Sequence, residues 1–414
     1  MKQGMFRALT IAVALAGSQA YAAGTVKIAL IDPLSGPFAN VGESMLRHMQ
    51  LAVEALNAKG GVLGGTKFEL IALDSKSSPQ EAQLALKQAI DRGATYINQT
   101  NGSNVAAALI DAVDKNNERN PDKRVVYLNT GAVDPALTND KCSFWHFRFD
   151  ADAEMKMAAL TDAIITNPAV KKIYLINQDY AFGQSVAKAA RANLTKKKPD
   201  IRIVGDELHP LGKIKDFSPY VAKIKASGAD TVITGNWGND MALLIKASRD
   251  AGFKPEFYTY YAGGLGTPTA LGDAGVGHLR QVTQFHTNIG SDHATKLVMG
   301  YKDKFKDAKD DYYFSTHTIA IEMLARAMEQ AKSTDPVKVA RALENMKHNH
   351  AAGQVYMRAD NHQLIQPLYT STYVKVDGAA VKFDVERTGN GFKTDKRVEG
   401  KDTVLPTTCK MTRP

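Results

Sequence analysis

Asn101, Gly102 and Ser103 bring an amide, a flexible backbone and a hydroxyl together at the start of a helix-forming stretch. A helix start offers N–H groups without intrahelical partners and a positive dipole end, so the chemistry it suits is holding an anion. Ser103 or Asn104 would equally serve as a simple helix cap, and the two roles are compatible. Other clusters promise less. His348-Asn349-His350, with His362 nearby, has an i, i+2 spacing that matches no strong metal-ligand pattern, so no metal is expected. His317 shares a helix face with Ile321 and Leu324 and reads as a packing histidine, and Asp310-Asp311 as a solvated helix start. No GxGxxG follows a strand, and neither a P-loop nor a GxSxG elbow occurs. No nucleophile stands beside a base, so neither an enzyme nor a cofactor is expected.

Lys2 and Arg7, the apolar run Ala8 to Ala16 and the small-residue site Ala20-Tyr21-Ala22 form the pattern of a signal peptide over residues 1–22, cleaved near Ala22. The run is too short to cross a bilayer, a retained anchor being the alternative. Export gives meaning to the two cysteines, Cys142 and Cys409, which are expected to pair as one disulfide, with two free thiols the alternative. The formal net charge is +9, but Lys and Arg are scattered among acids without interleaved aromatics, so nucleic acid is not an expected partner.

These residues need a scaffold, and 414 residues are too many for one ordinary core, so two domains are expected. Val26 to Ile31, Phe68 to Leu73, Thr95 to Asn98 and Val125 to Leu128 read as strands alternating with helices. The helices begin at Asn40 (with Glu43 as a capping box), at Ser78 (with Pro79 and Glu81) and at Ser103. In the first of them Met45, Met49, Ala52 and Leu56 read as core packing. A second series follows Phe147-Arg148-Phe149, with strands at Lys172 to Asn177, Ile201 to Val204, Thr231 to Thr234 and Phe257 to Tyr261. Such alternation specifies parallel sheets flanked by helices, with ligands received where loops leave the carboxyl ends of strands. The loops Asp32 to Asn40, Gln99 to Asn104 and Asn129 to Val133 therefore face those around Tyr180, Trp237 and Tyr261 across a cleft. Helices return near Ala294, Ser315 and Val337, and beyond Thr388 the chain reads as a polar tail.

Ser35-Gly36-Pro37, Gly42 and the segment Glu54 to Gly65, which ends in GGVLGG, are followed in order by three further pieces. These are Asp74, Gly131-Ala132 with Pro135-Ala136-Leu137-Thr138, and Asp179-Tyr180-Ala181-Phe182-Gly183. This ordered set resembles the leucine/isoleucine/valine-binding protein family, the type I periplasmic binding proteins of ABC importers, over nearly the whole chain after residue 22. The resemblance implies an α/β fold of two doubly wound parallel-sheet lobes joined by three hinge crossovers, near Phe147–Arg148, Thr283–Phe285 and Gly353–Met357. The lobes would be residues 24–147 plus 285–353 and 148–284 plus 354–385, with 386–414 as a C-terminal tail. It also implies a periplasmic, monomeric solute-binding protein that hands its ligand, a branched-chain or related amino acid, to a membrane permease. A ligand-sensing module of the same fold is the alternative.

In that family lobe 1 holds the ligand carboxylate, which here points to Asn101, Gly102 and Ser103, with Gly131 and Ala132 donating backbone contacts. Phe38, Tyr180, Phe182, Trp237, Tyr260 and Tyr261 would supply an aromatic surround that suits an aromatic or other apolar carboxylate. The chain departs from the family pattern at four places. Val133 replaces a hydroxyl-bearing residue, and Val41 and Phe182 each replace a tyrosine. No acid stands near Tyr261 to meet an ammonium group, for which Asp150, Asp179 and Asp240 are the candidate substitutes. An amine-free aromatic or aliphatic carboxylic acid is therefore the alternative ligand.

Overall fold

Ile28 to Ile31 are wholly buried in β1 (Thr25–Asp32), an inner strand covered on both faces, which is why the sequence there is an unbroken apolar run. The computed structural model describes residues 24–414, so the expected signal peptide lies outside the described residues. With β2 (Lys67–Asp74), β3 (Tyr96–Gln99), β4 (Val126–Asn129) and β5 (His146–Arg148), β1 forms a parallel sheet in the order β2-β1-β3-β4-β5. The helices α1 (Ala39–Ala58), α2 (Pro79–Asp91) and α3 (Ser103–Arg119) connect its strands. Ser78 caps α2, its hydroxyl accepting from the Glu81 N–H at 3.4 Å. Asn40 does not cap α1. That helix grows out of the turn Gly36–Phe38 with Phe38 in the cap position, and the Asn40 amide reaches Asn239 instead.

The second lobe opens with α4 (Ala153–Thr166) and repeats the pattern. Its strands are β6 (Lys172–Gln178), β7 (Arg202–His209), β8 (Thr231–Thr234), β9 (Glu256–Thr259) and β10 (Leu279–Thr283). Between them run α5 (Ala181–Lys197), α6 (Ser218–Ala226), α7 (Gly238–Asp250) and α8 (Thr267–Leu271). The chain then returns through α9 (Asp292–Lys304), α10 (Thr316–Ala331) and α11 (Pro336–Leu343), the last two built into the core of the first lobe.

Two expectations about the C-terminal third need correction. Gly353–Met357 is not a crossover but β12 (Gly353–Met357), the middle strand of a small antiparallel sheet with β11 (Lys347–His350) and β13 (Leu364–Ile365). Val355, Met357 and Leu364 still pack in the first lobe's core, whereas Ile365 and Leu368 pack in the second's, so the chain crosses at Ile365–Leu368. Residues 386–414 are not merely a tail. Antiparallel β14 (Leu368–Lys375) and β15 (Asn390–Val398) extend the second sheet to seven strands, β15-β14-β10-β9-β8-β6-β7. As an edge strand β15 exposes Lys393, Lys396 and Arg397, a charged pattern that protects an edge and hides its strand character in the sequence. Beyond it Cys409 is disulfide-bonded to Cys142, and Arg413 Nε bonds Glu344 at 2.9 Å, so the chain end is fastened to the first lobe.

Candidate functional site

The loops leaving the carboxyl ends of both sheets meet around one cavity between the lobes, enclosing about 550 Å³ of atom-free space with its mouth included. Each first loop is held by a tight helix approach. A Cβ on Gly42 would lie 1.8 Å from the Pro33 carbonyl oxygen, and one on Gly183 would lie 1.9 Å from that of Gln178. Asp74 at the end of β2 fastens the β1–α1 loop, accepting from Leu34 N–H (2.8 Å) and Ser35 Oγ (2.5 Å).

Gly102 takes the N-cap position of α3 with φ near +94°, a conformation open to glycine, and no side chain caps the helix. Ser103 is therefore not the cap. Its buried Oγ accepts from the Asp134 N–H at 3.2 Å, which leaves the hydroxyl proton free to donate. The N–H of Ser103, the first residue of α3, also has no partner within the helix. Asn101 also lines the cavity, but its N–H (2.8 Å) and side-chain amide (3.3 Å) both donate to Asp32 Oδ1. Gly131, Ala132 and Val133 line it too, although not as backbone donors in the case of the first two. The Asn129 side chain folds over that turn and takes the N–H groups of Gly131 (3.1 Å) and Ala132 (2.8 Å), so the expected backbone contacts from them are corrected.

The second lobe contributes Tyr180, Phe182, Trp237 and Tyr261. Trp237 donates through Nε1 to the Tyr180 hydroxyl at 2.8 Å, and Phe182 meets Tyr180 and Tyr261 edge-on. Phe38 is not part of the cavity wall. It stacks on Trp237 with ring centroids 4.3 Å apart, while Asn239 Nδ2 donates to the Pro37 carbonyl at 2.6 Å. These contacts close the cleft edge and put Phe38, Val41 and Val133 into the apolar cluster of the opposite lobe. Sequence reasoning missed Tyr313 and Phe314, which reach the cavity from the α9–α10 connection, and read Met45 as core although it lines the wall. The same misreading touches Asp310. It is not solvated but buried, accepting from Tyr301 OH (2.6 Å) and Arg47 Nη2 (2.9 Å), and so anchors the Tyr313–Phe314 segment.

The residues that line the cavity include no acid, lysine, arginine, histidine or cysteine, so the wall carries neither a charge nor a metal-ligand set. Asp150 is paired with Lys156 at 2.6 Å, Asp179 is exposed, and Asp240 accepts from Gln178 Nε2 (2.8 Å) and Gly212 N–H (2.9 Å). None of the three faces the cavity. His317 stands behind the wall, neutral because burial pushes its pKa well down, with Nε2 3.0 Å from Thr100 Oγ1.

Asp32 stands behind this wall, accepting from the Asn101 N–H. Burial pushes its pKa up to about 6 against the opposing hydrogen bonds from Asn101 and Thr100, and its Oδ2 has no partner. Below about pH 4 the carboxyl is protonated folded or unfolded and affects nothing. As pH rises from about 4 to 6, the unfolded chain ionises first and the native state loses stability, on the order of 3 kcal/mol. Asp32→Asn keeps an acceptor for the loop N–H groups and removes this slope. Chemical denaturation between pH 4 and 7 should show the variant gaining on the parent as pH rises, and a pH-independent difference would refute the reading.

The family model described as periplasmic binding protein matches residues 25–379. The Leu/Ile/Val-binding protein homolog 4 of Brucella abortus is 33% identical, over 97% of this chain and 96% of its own length. A crystal structure of the leucine-, isoleucine-, valine-, threonine- and alanine-binding protein from Brucella ovis, in its closed conformation, is similar with a TM-score of 0.82 and 32% identity, covering 95% of this chain and 100% of that one. A solute-binding protein of an ABC transporter from Rhodopseudomonas palustris BisB5, in complex with 3,4-dihydroxybenzoic acid, is similar with a TM-score of 0.77 over 91% and 98% of the chains. At 17% identity that likeness shows the fold alone.

Proposed function

The chain belongs to the periplasmic binding protein family, and from that premise we propose that it carries an amine-free, apolar or aromatic carboxylic acid to an ABC permease. One observation supports this ligand class above others, the lack of any carboxylate among the residues that line the cavity. A buried ammonium without an acid partner costs several kcal/mol, whereas a carboxylate has the Ser103 hydroxyl and the start of α3 to meet it. Aromatic faces from both lobes suit the rest of the molecule. Closure follows because only the closed form touches the ligand from both sides, so ligand shifts the population towards it. In this reading the protein is exported by its N-terminal segment and acts as a monomer.

A second reading keeps a branched-chain amino acid, and the 33% identity to a Leu/Ile/Val-binding homolog over nearly the whole length favours it. The ammonium would then rest on tyrosine hydroxyls, carbonyl oxygens and aromatic faces. Thermal-shift and calorimetric titration with benzoates, aliphatic acids, 2-keto acids and the matching amino acids separates the two. Amine-free acids should bind, with about 2.7 kcal/mol of added stability at a hundred times Kd. Strong shifts by leucine-like amino acids alone would establish the second reading, and sustained turnover of any hit would defeat both. Ser103→Phe should weaken a carboxylate ligand by at least about tenfold, or about 1.4 kcal/mol. Unchanged affinity would remove the α3 start from the site.

A further inference from the structure

His348 and His350 are two residues apart on β11, so their side chains leave the strand on one face. That face meets Glu322 of α10. His348 Nε2 lies 2.8 Å and His350 Nδ1 3.1 Å from the same oxygen, Oε2, so the second carboxylate oxygen is not used by either histidine. His293, in the first turn of α9, brings a third imidazole whose ring centroid is 5.2 Å from that of His350. Arg326 lies 3.3 Å from His348 Nδ1 and can only donate, so the His348 proton sits on Nε2 facing Glu322. His348 therefore supports the carboxylate from outside. His350 turns its Nδ1 to the same oxygen from the other side, at a spacing that two ligands of one ion can keep.

From this geometry we infer that His293, Glu322 and His350 form a binding site for a first-row divalent transition cation such as Zn²⁺. One ligand atom from each side chain lies within 4.8 Å of the others. Ligand atoms around a tetrahedral zinc are about 3.4 Å apart, a gap that rotation of the exposed His293 closes. Two imidazoles and a carboxylate are the donor set such ions take. Binding replaces the hydrogen bond between His350 Nδ1 and Glu322 Oε2 with two bonds to the ion, the His350 proton moving to Nε2. The site joins the start of α9, the middle of α10 and the β11–β12 hairpin, where Ser291 Oγ already donates to the Ala351 carbonyl at 2.7 Å. It shares no residue with the inter-lobe cavity, and it abuts the crossover that follows β10.

The test uses the full chain, stripped with a chelator and titrated with ZnCl₂ by calorimetry, with bound zinc counted after desalting. One equivalent should be retained, and the thermal midpoint should rise with zinc. His293→Ala and Glu322→Gln should each weaken binding by at least about tenfold. His293 is exposed, so its variant should fold, and an unchanged midpoint of the metal-free form verifies that. Zinc lost on desalting, or affinity unchanged in both variants, would overturn the site as adventitious binding. Neither result bears on the ligand proposed for the cavity.

Discussion

Lys156→Met is expected to destabilise the protein by about 3–5 kcal/mol, read as a lower midpoint in chemical denaturation. Lys156 Nζ and Asp150 Oδ2 are 2.6 Å apart with both side chains removed from water, on the segment where the chain first enters the second lobe. The cation also lies 5.1 Å from the ring centre of Tyr261, a wall of the ligand cavity. Asp150 Oδ1 has no side-chain or backbone partner among the described residues. Burial pushes the Asp150 pKa up and the Lys156 pKa down, and their pairing is the largest effect opposing it. Removing the lysine strands the carboxylate in a dry environment, so Asp150 then prefers to be protonated. The deficit of the single variant should therefore shrink as pH falls, since an acid with a raised native pKa loses stability only once the unfolded state ionises. Lys156→Met combined with Asp150→Asn should recover most of the loss, because a matched neutral pair leaves no lone charge. A single variant as stable as the double one would show that the pair carries no such role.

Loss of the Cys142–Cys409 bridge, through Cys142→Ser with Cys409→Ser or through reductant, is expected to cost about 2–5 kcal/mol. The bridge joins residues 267 apart, and long loops restrict the unfolded chain most in the chain-entropy account. The other fastenings of the segment are hydrogen bonds, many of them near the surface, such as Thr408 Oγ1 to Asp140 Oδ1 at 2.6 Å. Without the covalent link the last residues should fray before the lobes unfold, which holds the loss towards the lower end. Hydrogen exchange over residues 404–414 should rise at once on reduction, ahead of the sheets. Equal midpoints with and without reductant would contradict the expectation.

The sequence by itself determined the alternation of strands and helices, the strand ends where loops converge, the capped start of α2 and the pairing of the only two cysteines. These are local or countable signals. A doubly buried strand must be apolar throughout, a capping side chain accepts from an N–H two or three residues on, and two cysteines pair in one way only. Ten of the twelve residues named for the ligand share one cavity wall for that reason, since strand-end loops in this topology lie on one side.

What only the tertiary structure decided is where each polar group spends its hydrogen bonds. The Asn129 amide takes the Gly131 and Ala132 N–H groups, Asp134 engages Ser103, and Lys156 claims Asp150. Tyr313 and Phe314 reach the cavity from a segment far along the chain, and β15 pairs as an edge strand despite its charges. Such outcomes depend on partners distant in sequence, and the periodicity of a short window carries no information about them. Asn101 to Ser103 show both sides of this. Their residue types announce an anion-holding helix start, but the fold turns Asn101 towards Asp32, so that role is proposed above for Ser103 and the start of α3 alone.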